Sequence, residues 1–134
     1  MPKKFNFTIV SPNGKKLSAE CEILNVETTA GAMGVLCGHL PMVAILEIGV
    51  LNYLNDGVRK FVAVNGGVLN VKKDGVTVLA ESFETQEEID VERANASLER
   101  AKERLESNAL DIDVQRATKS MERAKNRLKI AKRD

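Results

Sequence analysis

Gln86-Glu87-Glu88-Ile89-Asp90-Val91-Glu92-Arg93-Ala94-Asn95-Ala96-Ser97-Leu98 is where the hydrophobic period of this chain changes. Before it, from Phe5 to about Phe83, apolar residues alternate in short runs such as Phe5, Phe7, Ile9 and Ala19, Cys21, Ile23, the period of half-buried strands. Turn residues punctuate those runs: Pro12-Asn13-Gly14, Gly31, Gly34, Gly38, Asn55-Asp56-Gly57, Gly66-Gly67 and Asp74-Gly75. Asp56-Gly57 and Asp74-Gly75 suit tight hairpins, because glycine accepts the positive φ that primed turns need. Several short strands with such turns predict a β-sandwich or barrel.

After Gln86 glycine and proline vanish, and Val91, Ala94, Leu98, Ala101 and Leu105 recur at helical spacing. Glu87 and Glu88 are expected to begin this helix, where negative charge meets the positive end of the dipole. Residues 107–111 interrupt it, with Asp111 or Asp113 available to cap a second helix. The stripe of that helix runs through Val114, Ala117, Met121, Ala124, Leu128 and Ala131. So short a connection predicts an antiparallel pair. The fold class is therefore α+β: a mostly β head, residues 1–85, followed by a two-helix hairpin, residues 86–134.

The seams are half alanine. At roughly 1.5–3 kcal/mol per fully buried large side chain, the hairpin alone does not comfortably outweigh the ordering of roughly forty residues. It is expected to detach easily, although each helix is built from strong helix formers. A marginal hairpin of good helices is what a conformational switch requires.

Hydrophobic residues at 43% and charged residues at 29% are globular values. The apolar run near residue 43 is broken at Glu47, far short of the roughly 20 residues of a membrane span. No signal or transit composition opens the chain. The spacing of Cys21 and Cys37, with one histidine in the chain, excludes a structural zinc site and suggests a buried strand thiol and a loop thiol. Residues 87–106 hold seven acids against four bases, and residues 107–134 hold eight bases against four acids, so a basic helix lies beside an acidic one.

No P-loop is present, and Gly31-Ala32-Met33-Gly34 lacks dinucleotide spacing and reads as turn. His39, in Cys37-Gly38-His39-Leu40-Pro41, has no nucleophile elbow around it and reads as structural or as a partner contact. No catalytic set emerges. The basic helix is compatible with a solvated face, an acidic protein partner, or nucleic acid or lipid, although both helices lack aromatics.

Several stretches together resemble the epsilon subunit of bacterial F-type ATP synthases. They are residues 8–14 (Thr-Ile-Val-Ser-Pro-Asn-Gly), the Gly31 to Met42 run with Gly34-Val35-Leu36-Cys37-Gly38-His39-Leu40-Pro41, and residues 46–51 (Leu-Glu-Ile-Gly-Val-Leu). Asn65-Gly66-Gly67, Val76-Thr77-Val78-Leu79-Ala80-Glu81 and Ile89-Asp90-Val91-Glu92-Arg93-Ala94 complete the set. Cys37 departs from the polar or small residue common in the family. The resemblance implies a non-catalytic rotor subunit, peripheral on the cytoplasmic face of the bacterial membrane. Its sandwich would bind the gamma subunit and the membrane c-ring, with Gly38, His39, Leu40 and Pro41 as contact candidates. Its hairpin, when extended, would reach the alpha and beta subunits and inhibit ATP hydrolysis, with Arg116, Lys119, Arg123 and Lys125 as the inhibitory basic residues.

The resemblance also implies regulatory ATP binding by Glu84, Ile89, Asp90, Arg93, Ala94, Arg100, Arg123 and Arg127, with no metal-ligating residues and no catalytic cofactor, and leaves open whether magnesium accompanies the nucleotide. Guanidinium forks suit phosphate oxygens, and a carboxylate accepts from an adenine amine or a ribose hydroxyl. Helical periodicity leaves open whether the arginines of the two helices converge. The alternative from another class is a nucleic-acid or anionic-lipid adaptor with a basic helical tail; the resemblance implies no nucleic acid partner.

Overall fold

The computed structural model describes residues 3–107 and 113–133. Eight strands precede two helices: β1 (Phe5–Val10), β2 (Lys16–Cys21), β3 (Ile23–Thr28), β4 (Gly31–Leu36), β5 (Met42–Asn55), β6 (Val58–Lys72), β7 (Gly75–Ala80), β8 (Phe83–Thr85), α1 (Val91–Glu106) and α2 (Val114–Ala131). Hydrogen bonds run in the order β2-β1-β7-β6-β5-β3-β4, with β8 pairing β6. Among the described residues only β1 and β7 pair in parallel; the other pairs are antiparallel. The result is an N-terminal β-sandwich carrying two packed C-terminal helices.

The alternation in β1 buries Phe7 and Ile9 in a core shared with Leu24, Leu51, Leu69 and Val78. Asp56 and Gly57 both have positive φ (51° and 79°) and close the β5–β6 hairpin as a primed turn does. Elsewhere the expected punctuation moves. Ala19-Cys21-Ile23 is not one strand, because the chain bends at Glu22 between β2 and β3. Gly31 and Gly34 belong to β4 rather than to a turn, since Thr29 and Ala30 make the turn and Thr28 pairs with Gly31. The β6–β7 turn is Lys73-Asp74, and Gly75 is already in β7, paired with Lys72.

Gly66-Gly67 also lies inside a strand. There β6 exchanges one partner for another, pairing with β8 over Val62–Val64 and with β7 from Gly67 onward. A Cβ on Gly67, which has φ +144°, would stand 2.1 Å from the Leu79 carbonyl oxygen, so only glycine fits this crossing. Asn65 fastens the same point: its backbone N–H donates to the Ser82 carbonyl (3.0 Å) and its side-chain amide to the Ser82 hydroxyl (2.8 Å). Cys21 is buried on β2 and Cys37 is exposed in the turn after β4, as the spacing suggested.

The acids Glu87 and Glu88 do not open α1. They sit in a one-turn 3-10 helix, Gln86–Glu88, and Asp90 is the cap of α1, its carboxylate accepting from the Arg93 backbone N–H at 3.1 Å. Asp113 caps α2 in the same way, accepting from the Arg116 N–H at 3.0 Å. Asp111, the other cap candidate, lies outside the described residues. In the seam Ala94, Ala101, Ala117 and Ala124 are buried, while Leu98, Leu105, Met121 and Leu128 are half-buried around them. Val91 and Val114, expected in the seam, are exposed, because each is the first helical residue of its helix and lies at the end of the helical pair.

The hairpin docks on the head through α2. Ile130, fully buried, packs with Val50, Phe61 and Ala63, and Ile89 packs against the same cluster. Buried Asn126 donates to the Gly49 carbonyl at 2.8 Å. The Gln86 side-chain amide donates to the carbonyls of Ile130 and Arg133 at the end of α2, adding to the Arg133 backbone N–H that already reaches Ile130.

Candidate functional site

The start of α1 and the end of α2 stand side by side, and between them and the last strand of the head is a cavity of about 370 Å³. That volume falls within the roughly 300–1,000 Å³ range of natural small-ligand pockets. Asp90, Arg93, Ala94, Ser97 and Arg100 reach it from one face of α1, Ser120, Arg123 and Arg127 from α2, Glu84 from β8, and Glu88 from the 3-10 turn. The alanine seam brings the helices close enough for long side chains from both to share one space. The two pairs of arginines, whose convergence periodicity leaves open, therefore line one cavity.

Its acids already have partners. Glu84 accepts from Arg127 at 2.6 Å. Glu88 is held at 2.8 Å by Lys15, which reaches over from the β1–β2 connection, and accepts from the Thr85 backbone N–H and hydroxyl at 3.0 and 2.9 Å. The Lys15 ammonium first, and the Thr85 N–H after it, pull the Glu88 carboxyl below its ordinary range. Asp90 is engaged in capping α1.

Among the described residues, Arg93, Arg100 and Arg123 have no carboxylate within 4.0 Å. Arg100 donates to the Ser97 hydroxyl at 3.2 Å and Arg123 to the Ser120 hydroxyl at 3.1 Å. The cavity thus holds guanidinium charge with nothing anionic against it at one side and carboxylates at the other. Such a wall suits an anion of several oxygens bearing an amine or hydroxyl group.

Seven of the eight residues named from the sequence, Glu84, Asp90, Arg93, Ala94, Arg100, Arg123 and Arg127, line this cavity. Ile89 does not. It follows the 3-10 turn in extended conformation (φ −71°, ψ 122°) and packs against the head with Val50, Phe61, Ala63 and Ile130. Glu88, Ser97 and Ser120 also line the cavity, beyond the eight residues named from the sequence.

The signal for the serines is an internal repeat of offset 23. Asp90-Val91-Glu92-Arg93-Ala94-Asn95-Ala96-Ser97-Leu98-Glu99-Arg100-Ala101-Lys102-Glu103-Arg104-Leu105 recurs as Asp113-Val114-Gln115-Arg116-Ala117-Thr118-Lys119-Ser120-Met121-Glu122-Arg123-Ala124-Lys125-Asn126-Arg127-Leu128, identical at eleven of sixteen positions.

The other candidate residues lie apart. Gly38 (φ +85°), His39, Leu40 and Pro41 form the connection from β4 to β5. There the His39 backbone N–H donates to the Leu36 carbonyl at 3.1 Å, the His39 Nδ1 lies 2.8 Å from the Leu40 carbonyl, and Leu40 is 80% exposed. This loop borders a second cavity of about 520 Å³ with residues of β1, β4 and the β6–β7 turn, and no described hairpin residue lines it. Arg116, Lys119 and Arg123 share a shallow depression on α2 with Asp113 and Gln115, whereas Lys125 is exposed outside it.

The delta/epsilon chain beta-sandwich domain of ATP synthase matches residues 4–86, and the long alpha-helix domain of the same chain matches residues 87–132. The ATP synthase epsilon chain of Bacillus subtilis is 44% identical over 109 residues, covering 81% of this chain and 83% of that one. That of Anoxybacillus flavithermus is 43% identical over 105 residues, 78% of each. Among solved structures, a chain of the Euglena gracilis mitochondrial ATP synthase has the same fold, with a TM-score of 0.78 at 23% identity over 94% of this chain and 80% of that one. A chain of the Tetrahymena thermophila enzyme's central stalk and c-ring gives 0.58 at 12% identity, covering 96% and 94%. No described helix is long and apolar enough to cross a membrane. With both halves of the chain matched in order and bacterial relatives above 40% identity, this chain belongs to the epsilon-chain family of the F-type ATP synthases, non-catalytic subunits of the central stalk.

Proposed function

We propose that this chain is a nucleotide-controlled brake on its ATP synthase. In this proposal ATP holds the hairpin against the head, and the released hairpin inhibits hydrolysis. The observation that carries it is the cavity itself, where arginines of both helices meet carboxylates at the edge of the head. A ligand spanning the α1 arginines, the α2 arginines and Glu84 makes its full set of contacts only while the hairpin is folded and docked. It therefore favours that state by its differential affinity. Arg93, Arg100, Arg123 and Arg127 face the phosphates, and Glu84, Glu88 or Asp90 accept from the amine or hydroxyl groups. ATP acts here as a regulator, with no chemistry performed on it.

Residues 1–85 serve assembly, binding the gamma subunit and the membrane c-ring on the cytoplasmic face of the membrane, with exposed Leu40 and its neighbours Gly38, His39 and Pro41 at the ring contact. Residues 86–134 serve regulation. Once free, Arg116, Lys119, Arg123 and Lys125 dock on acidic surface of the alpha and beta subunits. Calorimetry on the full-length chain tests the nucleotide site. Arg93→Ala removes a charge-assisted contact worth about 1.5–3 kcal/mol, so ATP affinity falls roughly ten- to a hundredfold. Equal affinities, or no binding at millimolar ATP, refute the site. The brake is tested in reconstituted complexes, where deletion of residues 107–134 raises hydrolysis without loss of assembly; unchanged rates refute it.

A further inference from the structure

The repeat places one serine at the same point of each helix, three residues ahead of an arginine, and both serine–arginine pairs line the one cavity. Each hydroxyl accepts from the Nη2 of its own arginine, at 3.2 Å in α1 and 3.1 Å in α2. Because the helices run in opposite directions, the two copies meet at their middles. Ser97 and Arg100 then stand opposite Ser120 and Arg123 as related halves of one wall.

An arginine on a helix surface has many rotamers, and most of them carry its guanidinium out into water. A hydroxyl one turn back on the same face tethers it along its own helix, over the cavity. Both serines are half-buried, and alanine is the better helix former, so a serine kept only by chance at these sites contributes nothing to helix stability.

We propose that Ser97 and Ser120 are the positioning residues of the cavity, each holding the guanidinium of Arg100 or Arg123 over it so that the two form a pre-oriented clamp for the phosphates of a nucleotide. The inference rests on the reading of the cavity as an ATP site and adds to it how the clamp is set. The serines act through the arginines and do not touch the ligand. Pre-organisation of this kind raises affinity by removing the cost of ordering side chains on binding.

The test is titration calorimetry with ATP on the full-length chain and its variants. Ser97→Ala and Ser120→Ala each weaken binding about three- to tenfold, in line with loss of one ordinary hydrogen bond. Their thermal midpoints stay unchanged or rise. Ser97→Thr and Ser120→Thr, which keep the hydroxyl, restore most of the affinity. In an Arg100→Ala background Ser97→Ala has no further effect, because its only route to the ligand is gone.

Additive losses in that double variant overturn the positioning role and make the serine a direct contact. Wild-type affinity in both alanine variants overturns the inference while leaving the ATP site standing. A native chain that binds no ATP overturns both.

Discussion

Ile130→Ala should release the hairpin while leaving the head folded. Ile130 is completely buried, and its contacts are with Val50, Phe61, Ala63 and Ile89 at the junction of head and hairpin, outside the cluster that fills the sandwich. Truncating a buried isoleucine to alanine costs about 2–5 kcal/mol, the spread reflecting how well the site collapses. Here that cost falls on docking, because the sandwich core does not contain the residue. What remains to hold α2 is the Asn126 bond to Gly49, the Gln86 bonds to the helix end, the Arg127–Glu84 pair and the Arg133 guanidinium over the Phe61 ring. Exposed or half-exposed ion pairs supply only about 0–1 kcal/mol. The docking equilibrium constant should drop by a factor of about 30 to several thousand, at 1.4 kcal/mol per tenfold.

Hydrogen exchange measures this, with α2 amides losing protection by up to that factor and amides of β1 and β7 unchanged. ATP affinity should weaken by the factor by which the docked fraction falls, since only that fraction presents the whole cavity. Unchanged protection in α2 would show that Ile130 does not hold the hairpin. Equal loss in α2 and β7 would show that head and hairpin fold as one unit.

Two other outcomes depend on particular groups. Lys15 and the Thr85 N–H lower the folded-state pKa of Glu88, so this pair stabilises the junction fully above the ordinary glutamate pKa of 4.5, and that contribution disappears as pH falls through the lowered folded value. Glu88→Gln should therefore flatten the acid limb of the α2 exchange profile below about pH 5, and an identical acid limb in both proteins would refute the coupling. Burial, reinforced by Glu20 and Glu22, pushes the Cys21 thiol up to about 11, whereas Cys37 is exposed, so a thiol reagent at pH 8 should titrate one cysteine in the native chain and the second only after unfolding. Rapid reaction of both native thiols would contradict the closed β2 side of the core.

The change of period at Gln86 was legible because strands and helices differ in which neighbours share a face, and that difference survives without any tertiary knowledge. Glycine misled for a physical reason. In isolation Gly66-Gly67 signals a chain reversal, yet within β6 the absent Cβ lets Leu79 approach while the strand continues. The site was legible in residue type and not in direction. The resemblance pointed to Arg93, Arg100 and Glu84, whose guanidinium and carboxylate chemistry suits a nucleotide, and to Ile89, which instead turns toward the head because the 3-10 turn ahead of it sets its backbone. Lys15 was invisible to any local pattern, since it reaches Glu88 across 73 positions of sequence.

The repeat raises the question of why α2, and not α1, lies on the head. The two helices share caps, seam alanines, serines and arginines, so none of these distinguishes them. Among the positions where the copies differ, two one turn apart touch the head in α2. Where α2 has Asn126, α1 has Glu103, and where α2 has Ile130, the α1 copy ends in Ser107. Asn126 is buried and donates to the Gly49 carbonyl, which a carboxylate cannot do. A glutamate there would set negative charge against a carbonyl oxygen in a place with little water, a burial that costs several kcal/mol without a partner. Ser107 in place of Ile130 would leave the Val50, Phe61 and Ala63 surface without its apolar cover. Docking thus rests on an amide and an isoleucine particular to α2, and the cavity between the helices on serine–arginine pairs that both copies share. That division lets the grip of α2 on the head vary at positions 126 and 130 while the arginine wall stays the same.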